Sequence, residues 1–459
     1  MKQQSSRLGK EKIPELMLKL SVPAFIGMFV MALYNVIDTI YIARGVGTLG
    51  VAGLIIAFPI QMIFGGLAST FGVGGASIIS RKLGANELAE ANNVFGHVIW
   101  LVVFFSILMA VTGMFFLEPL LRTFGATENI LPYAKDYLSI ILFGSLVQFF
   151  AMATNNIARS EGNAKLAMLT MIISASANMV LDPIFIFGLD MGIKGAALAT
   201  IISQIIGAVW LLKYFLGGKS TLELQNIGWL PDFNIVKEII TIGVPTFIMR
   251  SSSSLMVVAV NWMLIGFGSE IEIAVFGIIN RLMMFFFMPI NGIVQGMQPI
   301  IGFNYGAGLY DRVRHTIKLG ISIATVITSI VWVITLIFPQ VLINIFSADE
   351  AVITSGSGAL KWIFIMAPVI GFQMIAGGLF QTLGKAKISF ILSLSRQLLF
   401  LIPFALTLPH LYGLTGIWIS FPIADGLAFL FALYIFLKNR KIFFPLTKGM
   451  EEPDNQATI

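Results

Sequence analysis

The chain has 459 residues, 57% of them hydrophobic and only 11% charged, with a mean hydropathy of +0.90. A soluble protein of this size carries about a quarter charged residues, so a water-soluble globular fold is excluded. The absence of cysteine removes disulfides, thiolate metal sites and cysteine nucleophiles. The basic balance (net charge +6) falls in short loops between apolar runs, where membrane orientation and anionic lipid headgroups explain it better than nucleic acid does.

The first apolar run, 17–43, is too long for a signal-peptide core and has no small-residue cleavage site, so a retained helix is expected. It carries Pro23, Tyr34 and Asp38. Span 2 (51–80) is rich in small residues, and its Gly72, Gly74 and Gly75 form no phosphate loop, because no GK[ST] follows. Spans 3 and 4 cover 94–116 and 133–158. Span 5 (166–188) carries Asn178, Asp182 and Pro183, and span 6 (195–215) carries Thr200. A linker at 216–235 leads to span 7 (236–264), with Pro245 and Arg250, and span 8 (273–302), with Arg281, Asn291, Gln295, Met297 and Gln298. Spans 9 to 12 cover 316–338, 358–381, 388–408 and 414–437, the last two holding Arg396 and Asp425. Each run is long enough to cross about 30 Å of hydrocarbon. The predicted fold class is therefore an all-α integral membrane protein of twelve transmembrane helices.

The second six spans repeat the first. A shift of 222 residues carries LSVPAF around Pro23 onto IGVPTF around Pro245, and LGAN at 83–86 onto YGAG at 305–308. It also carries FGATE at 124–128 onto FSADE at 346–350, and EGNAK at 161–165 onto LGKAK at 383–387. Such a long repeat in an apolar chain predicts two pseudo-symmetric six-helix lobes, 1–215 and 236–441, with a tail at 442–459. One set of alternate loops holds Lys10, Lys12, Arg81, Lys82, Arg159, Lys165, Arg312, Arg314, Lys385 and Lys387. The other is nearly bare of bases. The positive-inside rule then puts both termini and the linker in the cytoplasm.

Charge at membrane depth is expensive and marks function by default. Asp38 lies seven residues before Gly45, Asp182 six before Gly188, and Thr200 six after Lys194. At 1.5 Å per residue all three sit about 10 Å below one membrane edge. Tyr34 and Asn178 lie one helical turn before the two acids, on the same helix faces. This set is all oxygen chemistry, suited to a hard cation such as Na+ (ligands Asp38, Asn178, Asp182 and Thr200) or to a shared proton. The alternative is a structural network, or two helices that are not neighbours. In the second half Val260 stands at the counterpart of Asp38, and the membrane charges are Arg250, Arg281, Arg396 and Asp425. Arg250 and Asp425 share a depth near mid-membrane, which predicts an ion pair between them. Arg250, Arg281, Asn291, Gln295, Gln298 and Met297 are the candidate lining of a substrate cleft. The alternative for the arginines is a basic wall facing an anionic or lipid phosphate group. His97, His315 and His410 form no plausible metal set, and no nucleophile motif points to an enzyme.

Twelve spans as six plus six, VPAF in span 1, FGVGGASIISRKLGAN at 71–86, NMVLDPIFIFG at 178–188 and GIKGAALAT at 192–200 resemble the multidrug and toxic compound extrusion (MATE) family. The likeness runs from about Ile13 to Lys441, and within it the chain is most similar to the prokaryotic DinF-like and MepA-like branch. The resemblance implies a monomeric antiporter of the prokaryotic cytoplasmic membrane with no cofactor. It would expel organic, usually cationic, compounds in exchange for Na+ or H+ and contact membrane lipids but no nucleic acid. It also implies that Asp38, Asp182, Asn178, Thr200 and Tyr34 form the coupling-ion site. A lipid or lipid-linked oligosaccharide flippase of the same superfamily is the alternative. NorM-like members place acids at membrane depth in helices 7 and 10, where this chain has none.

Overall fold

A computed structural model describes residues 3–223 and 231–443; the linker positions 224–230 and the predicted tail beyond 443 lie outside the described residues. The described residues form helices and no strand. Ten helices are long and apolar enough to cross a membrane, and two bent pairs bring the crossings to twelve. A short helix α1 (Gln3–Lys10) precedes α2 (Ile13–Gly45), α3 (Thr48–Gly84) and α4 (Leu88–Phe115). After α5 (Leu117–Thr123), the fourth crossing is α6 (Leu131–Phe143) plus α7 (Ser145–Ser160), bent by 57°. The half closes with α8 (Ala164–Pro183), which runs into a π-helical segment Ile184–Gly188, and α9 (Gly192–Leu216). The π segment begins immediately after Pro183, whose missing N–H interrupts the α ladder.

The second half is the same series again: α10 (Phe233–Phe267), α11 (Glu270–Gly306), α12 (Tyr310–Ile337) and α13 (Pro339–Asn344). Then come α14 (Glu350–Phe364) and α15 (Ala367–Thr382), bent by 52°, and α16 (Ala386–Leu394), a π segment Ser395–Leu401, α17 (Ile402–Thr407) and α18 (Pro409–Lys438). The 222-residue shift carries both ends of α3, α4 and α7 onto those of α11, α12 and α15. It also carries the start of the short α5 onto that of α13, so the repeat extends to elements that no hydropathy window resolves.

Both described chain ends lie on one face, called here the terminal face. Arg312 and Asn304 donate to the Leu8 carbonyl at 3.0 and 2.9 Å, capping α1 from the second half. The Phe443 ring packs on Phe380, at the same end as the Ser77 hydroxyl that donates to the Gln381 carbonyl at 2.9 Å. The linker is fastened to the first half here. The buried Glu161 carboxylate accepts from the Thr221 N–H (2.6 Å), the Leu222 N–H (3.1 Å), the Ser220 hydroxyl (2.8 Å) and the Tyr214 hydroxyl (3.0 Å). Burial pushes this carboxyl up, and the four donors pull it back. His97, expected at a span edge, is buried and accepts from the Asp232 N–H at 2.8 Å, which ties the far end of the linker to α4.

The halves meet through α3 against α10 and α11, and α2 against α11. Glycines permit the approach. Gly84 lies on the Phe303 carbonyl and Gly306 on the Arg81 carbonyl, while Gly74 faces Ile239 and Gly296 faces Ser21. The first two contacts exchange under the 222-residue shift, so a pseudo-two-fold axis runs through the seam. A β-carbon at either Gly84 or Gly306 would overlap a backbone carbonyl that cannot swing aside. Gly84→Val and Gly306→Val are therefore each expected to hold the terminal face open and to lower transport at least tenfold. Cysteines placed at the exposed Glu90 and Lys385 and spin-labelled would report the wider separation; an unchanged distance in both variants would refute the seam's role.

Candidate functional site

Three neighbouring helices build the polar cluster. α8 packs along both α2 and α9, and α2 also touches α9. Close approach again depends on small residues: a β-carbon on Gly27 of α2 would lie 2.7 Å from the Met171 sulfur, and one on Gly195 of α9 would lie 2.8 Å from the Phe185 carbonyl. The possibility that the two acidic helices are not neighbours is thereby removed.

Asp38, Asn178, Asp182 and Thr200 are all buried, with Asp182 fully enclosed. The Asp38 and Asp182 carboxyls lie side by side. The Asn178 amide donates to Asp182 Oδ1 at 3.3 Å and to Thr200 Oγ1 at 3.4 Å, and Tyr34 lies beside Thr200 and the two acids. All five residues singled out in the sequence come together. Three oxygens of the cluster, Asp38 Oδ1, Asp182 Oδ2 and Asn178 Oδ1, are buried without a hydrogen-bond donor. Unpaired buried acceptors are costly, and a cation or proton would satisfy all three. Two carboxylates, an amide oxygen and hydroxyls suit a hard cation. Among the described residues no group of three or more His, Cys, Asp or Glu side chains gathers to hold a metal ion.

Two further residues join the cluster. Tyr137 of α6 is buried beside Asp38 and Asp182, with Gln61 of α3 next to its hydroxyl. Gln61 carries another unsatisfied atom, Nε2. The available signal was a lone amide in the middle of an apolar span, two residues past Pro59.

The second-half residues divide. Asp425 pairs with Arg396 and not with Arg250: Arg396 Nε lies 2.6 Å from Asp425 Oδ1. Equal depth could not distinguish the two arginines, because partner choice depends on helix rotation. Arg250 is exposed and passes α3 at Gly66, where a β-carbon would lie 4.0 Å from its Cδ, so it faces the first half. Arg281 is exposed on α11. Asn291 donates back to the Phe287 carbonyl at 3.2 Å. Gln295 reaches Met28 of α2 (Nε2 to Sδ, 3.2 Å), and with Gln298 it lines a small polar cavity between the halves. Met297 is absent from that cavity but shares a second, smaller pocket with Gln298. It is buried against Gly320 inside the second half, because one residue is a 100° turn from its neighbour on a helix.

The MatE family model matches residues 23–184 and again 245–407, one match in each half. The chain is 29% identical over 424 residues to the multidrug export protein MepA of Staphylococcus saprophyticus, covering 91% of this chain and 92% of that protein. It is 49% identical to a solved structure of the MATE multidrug transporter DinF-BH in a complex, with a TM-score of 0.89 over 97% of this chain and 100% of the other. A crystal structure of a MATE protein in the bent conformation superposes with a TM-score of 0.91 at 29% identity, over 98% and 99% of the two chains.

Proposed function

The chain belongs to the MatE family, and we propose that it is a secondary antiporter that expels organic compounds from the cytoplasm in exchange for sodium ions or protons. The observation that carries this reading is the set of three donorless oxygens at Asp38, Asp182 and Asn178, gathered on two neighbouring helices of one half. A bound cation or a proton would convert an unfavourable buried group into a satisfied one, which couples ion occupancy to helix arrangement. Thr200 and Tyr34 complete the site from α9 and α2. The neighbours support the cargo class: MepA is a multidrug export protein, and DinF-BH is a multidrug transporter.

In this reading residues 1–215 and 236–441 are the two lobes, and the fastened linker moves with the first. The basic terminal face, with Lys10, Lys82, Arg312 and Lys385, lies in the cytoplasm, so the closed seam places the cleft toward the outside. Ions reach Asp38 and Asp182 from there, and their binding draws α2 against α8 and α9 as cargo leaves. The protein acts as a monomer in the cytoplasmic membrane and holds no cofactor besides the coupling ion.

The exposed Arg250, facing the first half, favours a second reading, a flippase for phosphate-bearing lipids. Efflux from proteoliposomes, with sodium and pH gradients imposed separately, distinguishes them. A cationic dye should leave under one of the two gradients. No dye efflux under either, together with Arg250-dependent movement of an anionic lipid analogue, would overturn the antiporter in favour of the flippase.

A further inference from the structure

The inter-lobe cavity lies on the pseudo-two-fold axis of the seam. Its lining pairs off under the 222-residue shift: Val73 with Gln295, Ala76 with Gln298, Arg159 with Gln381, and Ser160 with Thr382. Around an axis the two sides should carry equal charge, and here they do not. The first half contributes a guanidinium where the second contributes an amide. Gln381 is already committed, donating to the Ile242 carbonyl at 2.9 Å and to the Thr246 hydroxyl at 2.8 Å.

Arg159 is not committed in that way. Its hydrogen bond is to Asn156 Oδ1 at 3.0 Å, which occupies one of five N–H donors. No carboxylate lines the cavity, and none among the described residues lies within ion-pair distance of Arg159. The adjacent acid, Glu161, points away to the linker donors described above. Gln298 adds an amide from the opposite half, with no hydrogen bond competing for it among the described residues. A half-buried, unpaired guanidinium in a polar cavity is unfavourable unless an anion neutralises it.

We propose that this cavity binds one compact anion, such as chloride or a phosphate group, held by Arg159 from one half and Gln298 from the other. An anion bridging the two halves stabilises the closed terminal face, so occupancy biases the transport cycle toward the closed seam. The site is separate from the Asp38 cluster and its readout does not depend on ion coupling. Its failure would therefore leave the antiporter reading untouched.

The test is thermal unfolding of the purified full chain, with chloride or inorganic phosphate replacing the bulky anion gluconate at fixed ionic strength. We expect a saturable rise in the unfolding midpoint, with the apparent affinity at least tenfold weaker in Arg159→Gln and partly retained in Arg159→Lys. Should Arg159→Gln fail to fold, Gln298→Leu tests the same cavity from the other half and should weaken binding several-fold. A parallel arm compares phosphatidylglycerol with phosphatidylcholine nanodiscs. A rise confined to phosphatidylglycerol and lost in Arg159→Gln identifies a lipid phosphate as the anion. No saturable rise with chloride, phosphate or phosphatidylglycerol, or an identical rise in Arg159→Gln, overturns the proposal.

Discussion

Asp38→Asn and Asp182→Asn are each expected to abolish gradient-driven efflux while the protein still inserts and folds. The physical reason is the donor set. An amide keeps the shape of the carboxylate but offers one acceptor oxygen and no charge to a coupling cation, and it cannot release a proton. Hydrogen bonds and contacts to a charged group contribute about 1.5–3 kcal/mol each, and every 1.4 kcal/mol is about tenfold in affinity. Losing one carboxylate should therefore weaken ion binding by about 10- to 100-fold, enough to uncouple a gradient of about tenfold. Folding should survive, because each substitution removes a buried charge whose desolvation is unfavourable. Thr200→Ala should be milder, since it removes a neutral hydroxyl and leaves both carboxylates. Transport assayed in proteoliposomes, beside thermal unfolding, separates coupling from stability. Full transport by both Asp variants would sink the coupling role.

The largest effect on stability is expected at the pair that the sequence misassigned. Arg396, in the π segment, meets Asp425 of α18, and its guanidinium lies 6.0 Å from the Phe287 ring centre on α11. Gln373 of α15 donates to the Asp425 carbonyl at 2.6 Å. Four crossings of the second half are thus joined around one ion pair. Arg396→Met leaves the buried Asp425 charge uncompensated, which costs about 3–5 kcal/mol when a buried pair is broken. The double variant Arg396→Met/Asp425→Leu should recover most of that loss, since a packed apolar replacement is often neutral or stabilising. Denaturation in lipid or mild detergent reads both. If the single variant matches the wild type, the pair does not hold the second half together.

The pair also clarifies the asymmetry of the repeat. Under the 222-residue shift Asp425 corresponds to Ser203 and Arg396 to Ser174, so the second half holds an acid together with its own internal cation. The first half holds two acids that pair with no cation among the described residues, and three donorless oxygens. One cluster is closed electrostatically, and the other keeps three unsatisfied oxygens, which the proposed antiport would use for an ion. This is the physical sense in which two copies of one architecture come to do different work.

Much of this was legible in the residues. Span lengths, the repeat and the shared depth of Asp38, Asp182 and Thr200 follow from run length, register and rise per residue, all of which are read along one dimension. The short α1, α5 and α13 were missed because a single turn or two of helix leaves no hydropathy signal. The bend after Phe143 has no proline and falls at Gly144, while the bend after Phe364 has Pro368 in the first turn of α15, which marks a possible break without giving its angle. Gln61 and Tyr137 escaped because each is an uncharged polar side chain on a helix other than the three that carry the acids and Thr200.

Run length and register are enough to establish that the chain crosses a membrane twelve times as two related halves, and that its acids lie at one depth in the first of them. Which side chains meet is a matter of packing in three dimensions. Helix rotation set Arg396, not Arg250, against Asp425, kept Met297 out of the cavity that Gln295 and Gln298 share, and brought Arg159 to the axis of the seam without a counter-charge. Depth is fixed by counting residues from a membrane edge. Partnership is fixed by the angle at which helices pack, and that angle depends on every small residue along the seam at once.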